Sequence, residues 1–291
     1  MIAAFLAGVL VLSAAAAEPV FLQPVTWLGD LLVTEKTILL GTTGQVVEVD
    51  FQGKVLRTLS FPAGQVQALV LGPDFLAAGG WNFLRLWSWP EGEIRLDIQG
   101  FGAMVRELSL AGEMILAAGA DGRVYAFSVS DGKLLWTLQA HAGSVWGLAA
   151  IADLLATAGN DRLVLWDLSK RTELFSFSGK GWDVDFSPDG YLLAGGVGKI
   201  LKVWDTAVGL PLWEAWAHES CTVAMSFSPD GKHLATGSLD QTAALWDAET
   251  GSLLQRIAGF SAPVGAVRFS PDGKLFVAGA EDGTLALLSL P

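Results

Sequence analysis

The sequence predicts an all-β fold, a seven-bladed β-propeller with four-stranded antiparallel blades. One column of large apolar residues recurs at intervals of 38 to 42 residues, and similar turns return with it. Between the turns, apolar residues alternate with the two-residue period of strands, and no stretch after residue 17 has the apolar stripe of a helix. Four-stranded propeller blades typically repeat every ~40–45 residues. The sequence therefore predicts a single closed ring of similar sheets over residues 18–291.

The repeats are counted by the apolar residue that precedes Asp or Ser near the end of each predicted third strand. Successive members of this column are 38, 40, 39, 38, 42 and 42 residues apart. The column consists of Val49, Trp87, Phe127, Trp166, Trp204, Trp246 and Leu288. Its seven members predict seven blades.

Two kinds of turn join the predicted strands. The first is Ser-Pro-Asp-Gly, in which proline presets one φ and glycine supplies a positive one. It occurs at residues 187–190, 228–231 and 270–273 and links the first strand of a blade to the second. The second turn lies around Asp121, Asp240 or Asp282 and joins the second strand to the third.

The first 17 residues are typical of a secretory signal peptide. Ile2–Leu12 is an unbroken apolar run, followed by Ser13 and four alanines before Glu18. An apolar core before small residues marks a cleavage site, and we expect cleavage after Ala17. The alternative is an uncleaved membrane anchor, since ~17 residues is the lower limit of a transmembrane helix. Either way, we expect the folded part to lie outside the cytoplasm, in the periplasm or the extracellular space.

The charge balance excludes several classes of partner. Thirty acidic residues against 18 basic ones give a formal net charge of -12, and only Lys170 and Arg171 are adjacent basic residues. Such a chain repels phosphate groups, so we expect no nucleic acid partner and no membrane insertion of the folded domain. The single cysteine, Cys221, excludes an intramolecular disulfide and a zinc site built from several thiolates.

The sequence contains few of the residues and motifs that are typical of catalytic or metal sites. Its three histidines are His141, His218 and His233, and the first two precede predicted first strands. No nucleophile elbow, phosphate-binding loop or HExxH motif occurs in it. We therefore expect a protein that is not an enzyme and needs no cofactor or metal, with its recurrent aspartates serving as turn residues.

The repeats resemble those of the WD-repeat family of β-propellers, most closely in the fourth to sixth. The resemblance implies an interaction platform without catalysis and, together with the leader, an exported bacterial protein. It also implies that blades are held by a hydrogen-bonded tetrad of His, Ser or Thr, Asp and Trp. Two blades have these residues: His141, Thr157, Asp161 and Trp166, and His218, Thr236, Asp240 and Trp246. The spacing from Asp161 to Trp166 is one residue short, which leaves the pairing of Asp161 open.

The two ends of the chain are expected to meet. The seventh repeat ends at Pro291, directly after its third strand, and Val20–Trp27 is a spare strand at the other end. We expect this strand to complete blade seven, since closure of a ring protects otherwise exposed strand edges.

One segment resembles a different propeller family. Ala120–Trp136 is similar to the repeat of quinoprotein-type propellers. That family includes enzymes with a quinone cofactor and a calcium site, and non-enzymatic scaffolds of outer-membrane assembly. The alternative function is therefore a quinoprotein-like propeller, or one with a small-molecule or glycan site in its channel.

The rim where the first strands begin around the channel is the expected binding surface. The candidate residues on it are Gln67, Arg106, Glu107, Trp146, Trp182 and Asp183. Trp and Arg are favoured at protein-binding hot spots, although indoles at these positions also suit packing between blades. We expect a monomeric scaffold that binds an unidentified protein on this face.

Overall fold

A computed structural model describes residues 18–290, so the expected leader at residues 1–17 lies outside the described residues. All regular structure from residue 18 to residue 290 is β-strand. No helix capable of spanning a bilayer occurs in this part of the chain. The predicted all-β class is confirmed.

The first part of the described chain forms one strand and two sheets. Strand β1 (Val20–Leu22) pairs with the last strand of the chain. A three-stranded sheet consists of β2 (Asp30–Val33), β3 (Ile38–Val49) and β4 (Val55–Gln65). A six-stranded sheet consists of β5 (Ala68–Leu71), β6 (Phe75–Ser88), β7 (Ile94–Ala111), β8 (Met114–Gly119), β9 (Arg123–Ser128) and β10 (Leu134–Gln139).

The rest of the chain forms four-stranded antiparallel sheets, in which the strands run in sequence from the channel to the outer edge. The first is β11 (Val145–Ile151), β12 (Leu154–Gly159), β13 (Arg162–Asp167) and β14 (Thr172–Ser178). The second is β15 (Gly181–Phe186), β16 (Leu192–Val197), β17 (Ile200–Asp205) and β18 (Pro211–Trp216). The third is β19 (Thr222–Phe227), β20 (His233–Ser238), β21 (Ala243–Asp247) and β22 (Leu253–Ile257). The last is β23 (Val264–Phe269), β24 (Leu275–Ala280), β25 (Leu285–Ser289) and β1.

The innermost strands surround a central channel and make the molecule a propeller. They contact each other in the order β2, β5, β7, β11, β15, β19, β23 and back to β2. The apolar core lies between neighbouring sheets, where Phe177 of β14 stacks on Trp204 of β17 with ring centres 4.5 Å apart. Because each sheet buries its faces against its neighbours, the ring stabilises all of its sheets together.

The prediction of seven separate four-stranded blades is wrong. Counted by hydrogen-bonded sheets, residues 18–290 form six blades, of which one is six-stranded and one three-stranded. The cause is β7, which continues from the outer edge of one repeat into the channel wall of the next. Gly100 and Gly102 have φ of 87° and 79°, and here the strand bends so that the two halves of its sheet share one core. The seven sequence repeats are thus distributed over six sheets.

The two ends of the described chain are joined at the last sheet. The expected pairing of the N-terminal strand with that sheet is confirmed over Val20–Leu22, which pairs antiparallel with β25. Phe21 packs edge-on against Phe260 with ring centres 5.4 Å apart. The strand is shorter than expected, since residues 23–27 leave the ladder and run towards the channel mouth.

Candidate functional site

The first predicted tetrad forms one hydrogen-bonded chain in the sheet β11–β14. Nε2 of His141 lies 2.9 Å from Oγ1 of Thr157, which accepts a 2.9 Å hydrogen bond from Nε1 of Trp166. Nδ1 of His141 lies 2.6 Å from a carboxylate oxygen of Asp161, so the short spacing does not prevent this contact. Burial lowers the pKa of His141 although Asp161 opposes the effect. The neutral imidazole therefore donates Nδ1–H to Asp161.

The second tetrad differs at its aspartate end. Nε2 of His218 lies 2.8 Å from Oγ1 of Thr236, which accepts a 2.9 Å hydrogen bond from Nε1 of Trp246. Nδ1 of His218 lies 2.9 Å from Oγ1 of Thr242, and Asp240 is farther away at 3.3 Å. Burial lowers the pKa of His218 to about 4. Both tetrads tie the second and third strands of a sheet to the segment before its first strand.

A cavity of about 310 Å³ opens where the inner strands begin. The ring brings together at this cavity every residue that the sequence analysis placed on the rim. These are Gln67, Arg106, Glu107, Trp146, Trp182 and Asp183. Trp27, Arg268 and Glu281 also line the cavity, so the segment after β1 takes part in its wall.

Arg106, Trp146 and Trp182 on one wall and Lys180 beyond the cavity lining form what we call the cation–indole row, in that order. The guanidinium of Arg106 lies 4.4 Å from the ring centre of Trp146. The two indole centres are 4.7 Å apart at 50°, and Nζ of Lys180 lies 4.4 Å from the ring centre of Trp182. The indoles thus pack against each other between sheets and line the cavity as well. The two interpretations of these indoles are therefore compatible.

Three nitrogen donors of the row have no acceptor. Nε of Arg106 and Nε1 of both Trp146 and Trp182 are buried without a hydrogen bond to any residue from 18 to 290. A buried donor without a partner costs ~1–3 kcal/mol. Burial also lowers the pKa of Arg106, because no neighbouring carboxylate offsets the loss of water.

A cluster of charged side chains crosses the channel below the row. Nη2 of Arg268 lies 3.3 Å from a carboxylate oxygen of Asp30 and 3.7 Å from one of Glu107. Asp183 and Asp185 complete the cluster. Each of the three aspartates also accepts backbone N–H groups at 2.8–2.9 Å, from its own strand and from the neighbouring inner strand. The cluster therefore connects inner strands of successive repeats.

Burial controls the titration of this cluster. It raises the pKa of Asp183 to about 7 and that of Asp185 to about 6, against the attraction of Arg268. Burial, reinforced by Asp30, raises the pKa of Glu107 well above its usual range. Burial opposes the charge of Arg268, but the four carboxylates together raise its pKa. Near neutral pH Asp183 and Asp185 therefore bind and release protons while sharing the guanidinium of Arg268.

The cluster divides the channel into two cavities. Glu107, Asp183 and Arg268 line both the cavity at the mouth and a second one of about 310 Å³ towards the ends of the inner strands. A ligand that enters from the mouth meets the cation–indole row before it reaches the carboxylates. From residue 18 to residue 290, no three His, Cys, Asp or Glu side chains form a group that could hold a metal ion.

Sequence reasoning missed the charged floor of the cavity. Asp30, Asp185 and Arg268 lie in different repeats and share no motif. Their signal is a charged residue within an apolar first strand, as in Val267-Arg268-Phe269. Only the closed ring shows that these positions meet around Arg268.

Two family profiles match different parts of the chain. The profile described as WD domain, G-beta repeat, matches residues 171–205, 211–247 and 251–287. The profile described as outer membrane protein assembly factor BamB matches residues 29–171. The chain therefore contains WD40 repeats in its C-terminal part, on a propeller fold.

Three curated relatives from Arabidopsis thaliana show the level of similarity. An F-box/WD-40 repeat-containing protein is 25% identical over 174 residues, covering 55% of this chain and 32% of the relative. Autophagy-related protein 16 is 26% identical over 166 residues, covering 54% and 33%. Pre-mRNA-processing factor 19 homolog 2 is 27% identical over 182 residues, covering 57% and 35%. These matches cover about a third of each relative.

A solved structure matches nearly the whole chain. One chain of the crystal structure of the mitotic checkpoint complex superposes with a TM-score of 0.84 at 21% identity, covering 99% of both chains. At this identity the likeness supports the fold and carries no statement about the partner.

Proposed function

We propose that this WD40-repeat propeller is a non-catalytic protein-interaction scaffold whose partner binds over the cavity at the channel mouth. The cation–indole row is the observation that carries the proposal. Two indoles in contact with each other and an arginine at the entrance of a concave site have the composition of a protein-binding hot spot. All three side chains line the cavity, so a polypeptide bound there would contact them directly.

The test is the double variant Trp146→Ala/Trp182→Ala, used as bait in extracts of the producing organism. We expect circular dichroism like that of the wild type and loss of the captured partner. The matched control is Trp81→Ala/Trp216→Ala, which removes two indoles that are 61% and 59% exposed away from the cavity. This control should keep the partner. Equal capture by wild type and the Trp146→Ala/Trp182→Ala variant would reject the cavity as the binding site.

We further propose that the scaffold acts outside the cytoplasm. The apolar run and small residues within positions 1–17 support this proposal. Cell fractionation followed by mass spectrometry of the protein tests it, with a mature chain that begins at Glu18 as the expected result. A protein found in the cytoplasm with its first residues intact would reject export.

A second candidate function is a scaffold of outer-membrane assembly. Two observations favour it: the BamB profile matches residues 29–171, and Ala120–Trp136 resembles a quinoprotein-type repeat. Deletion of the gene should then lower the amount of folded outer-membrane proteins. An unchanged outer-membrane proteome would reject this candidate and leave the first proposal standing.

A further inference from the structure

The charges of the cation–indole row lack the partners that most other basic residues have. Acidic residues outnumber basic ones by 30 to 18 in this chain. Arg162 accordingly pairs with Glu173 at 2.9 Å, and Lys202 with Glu214 at 2.7 Å. By contrast, no carboxylate among residues 18–290 lies within 4.0 Å of the charged groups of Arg106 or Lys180. Two of the eight cations without an ion pair in this part of the chain therefore belong to the row.

The contacts that these cations do make are weaker than an ion pair with hydrogen bonds. Each lies over one indole face, an interaction worth ~0.5–1 kcal/mol at an exposed site. Hydrogen bonds to a charged group contribute ~1.5–3 kcal/mol. A carboxylate on a partner would therefore bind Arg106 and Lys180 more strongly than the indoles alone do.

The shape of the row indicates a linear ligand. Its cations stand at the two ends, and Trp146 and Trp182 stand between them. An extended peptide presents side chains at regular intervals. It can place carboxylates near both ends of the row.

Four carboxylates line the cavity, those of Asp30, Glu107, Asp183 and Glu281. Asp30 and Asp183 already accept two backbone N–H groups each, and Asp30 and Glu107 lie near Arg268. The oxygens of these three residues are thus engaged within the channel, whereas the charged groups of Arg106 and Lys180 have no ion-pair partner among residues 18–290. Arg106 and Trp182 precede Glu107 and Asp183 in their strands, so the row lies nearer the mouth.

We infer that the cation–indole row binds an acidic segment of the partner protein, with carboxylates at Arg106 and Lys180. This inference rests on the proposed function and adds the chemistry of the partner to it. The overall charge of -12 opposes the approach of such a segment, so specificity comes from the row itself.

The test uses three short fluorescein-labelled peptides of equal length, alternating Gly with Glu, Lys or Ser, and fluorescence anisotropy. We expect the Glu peptide to bind, the Ser peptide to bind more weakly, and added salt to weaken the Glu peptide. Arg106→Gln/Lys180→Gln should lower the affinity for the Glu peptide by a factor of about 10 or more.

The matched control is Arg171→Gln/Lys199→Gln. It removes the same two kinds of cation, each over an indole elsewhere, at 5.7 Å from Trp136 and 5.3 Å from Trp216. The control should bind the Glu peptide like the wild type. Equal losses in both variants, no binding of the Glu peptide, or preferred binding of the Lys peptide would overturn the inference. If Trp146→Ala/Trp182→Ala still loses the partner in that case, the proposed function stands without it.

Discussion

Nε1 of Trp246 donates a 2.9 Å hydrogen bond to Oγ1 of Thr236, the hydroxyl that also lies 2.8 Å from Nε2 of His218. Thr157 has the same relationship to Trp166 and His141 in another sheet. Both hydroxyls are completely buried. One oxygen atom therefore serves two buried ring nitrogens in each of these sheets.

Replacing such a hydroxyl by a methyl group should destabilise the propeller. We expect Thr236→Val to lower the free energy of unfolding by ~1–3 kcal/mol, because the substitution removes the acceptor of the Trp246 indole N–H. Urea denaturation followed by tryptophan fluorescence measures the change. Thr172→Val, at an exposed position of β14, is the control and should change stability by less than ~0.5 kcal/mol. Equal stability of Thr236→Val and the wild type would contradict this role of the hydroxyl.

His218 should make stability depend on pH. Its pKa is lowered by burial from 6.5 to about 4, so the unfolded chain binds this proton more tightly than the folded one. The stability that the neutral ring contributes is complete above pH 6.5 and is lost as the pH falls towards 4. Between these limits the wild type should lose about 3 kcal/mol relative to His218→Phe. Phe is chosen as the replacement because Phe260 is buried at the corresponding place before β23.

Urea denaturation at a series of pH values measures this difference. His233→Gln is the control and should keep the pH dependence of the wild type. If the free energy of unfolding varies with pH in the same way for the wild type and His218→Phe, the imidazole of His218 does not cause the loss of stability at low pH.

Replacing Arg268 by an uncharged residue should lower the free energy of unfolding more at high pH than at low pH. Arg268→Met leaves the four surrounding carboxylates without a buried guanidinium, and breaking a buried ion pair costs ~3–5 kcal/mol. We expect this loss in the free energy of unfolding near pH 8. The loss should be smaller near pH 5, because Asp183 and Asp185, with pKa values of about 7 and about 6, then bind protons.

The control for this experiment is Arg95→Met, which breaks an exposed pair with Asp74 and should cost ~0–1 kcal/mol at either pH. Chemical denaturation at the two pH values gives the comparison. A loss from Arg268→Met that is the same at both would reject the electrostatic explanation.

A substitution at Gly283 tests whether the segment after β1 contributes to the closure of the ring. Its φ is 85°, and a Cβ atom would lie 2.0 Å from the carbonyl oxygen of Val25 in the segment after β1. We expect Gly283→Ala to displace that segment and to lower the melting temperature more than Gly112→Ala does. Gly112 has φ of 58° and open space around the added atom, so it isolates backbone strain. Similar melting temperatures for the two variants would show that the close approach of Gly283 to Val25 does not contribute to thermal stability.

The strand positions follow from the sequence wherever local pattern decides them. Trp166, Trp204 and Trp246 mark the third strands of their sheets, as their spacing predicts. The number of sheets does not follow, because it depends on whether the chain breaks its ladder between repeats. Gly100 and Gly102 are typical of a connecting loop, yet β7 runs through both. Only hydrogen bonding between distant strands shows this continuity.

The sequence predicts where the candidate site lies, but it does not predict the charged cluster below it. Arg106, Trp146 and Trp182 stand at one aligned position of the repeat, so the ring brings them to one cavity. Arg268 was missed because its partners Asp30 and Glu107 lie in other repeats. A single charged residue among apolar ones gives no indication of its partners until the ring is closed.

The continuous strand β7 makes the two sides of the channel mouth mechanically unequal. Separate sheets can shift against each other at the junction between them, but the two repeats joined by β7 share one unbroken ladder. Arg106 lies on this strand, whereas Trp146 and Trp182 lie on separate sheets. A widening of the entrance would therefore have to occur at a junction between separate sheets and not between the two repeats that β7 joins.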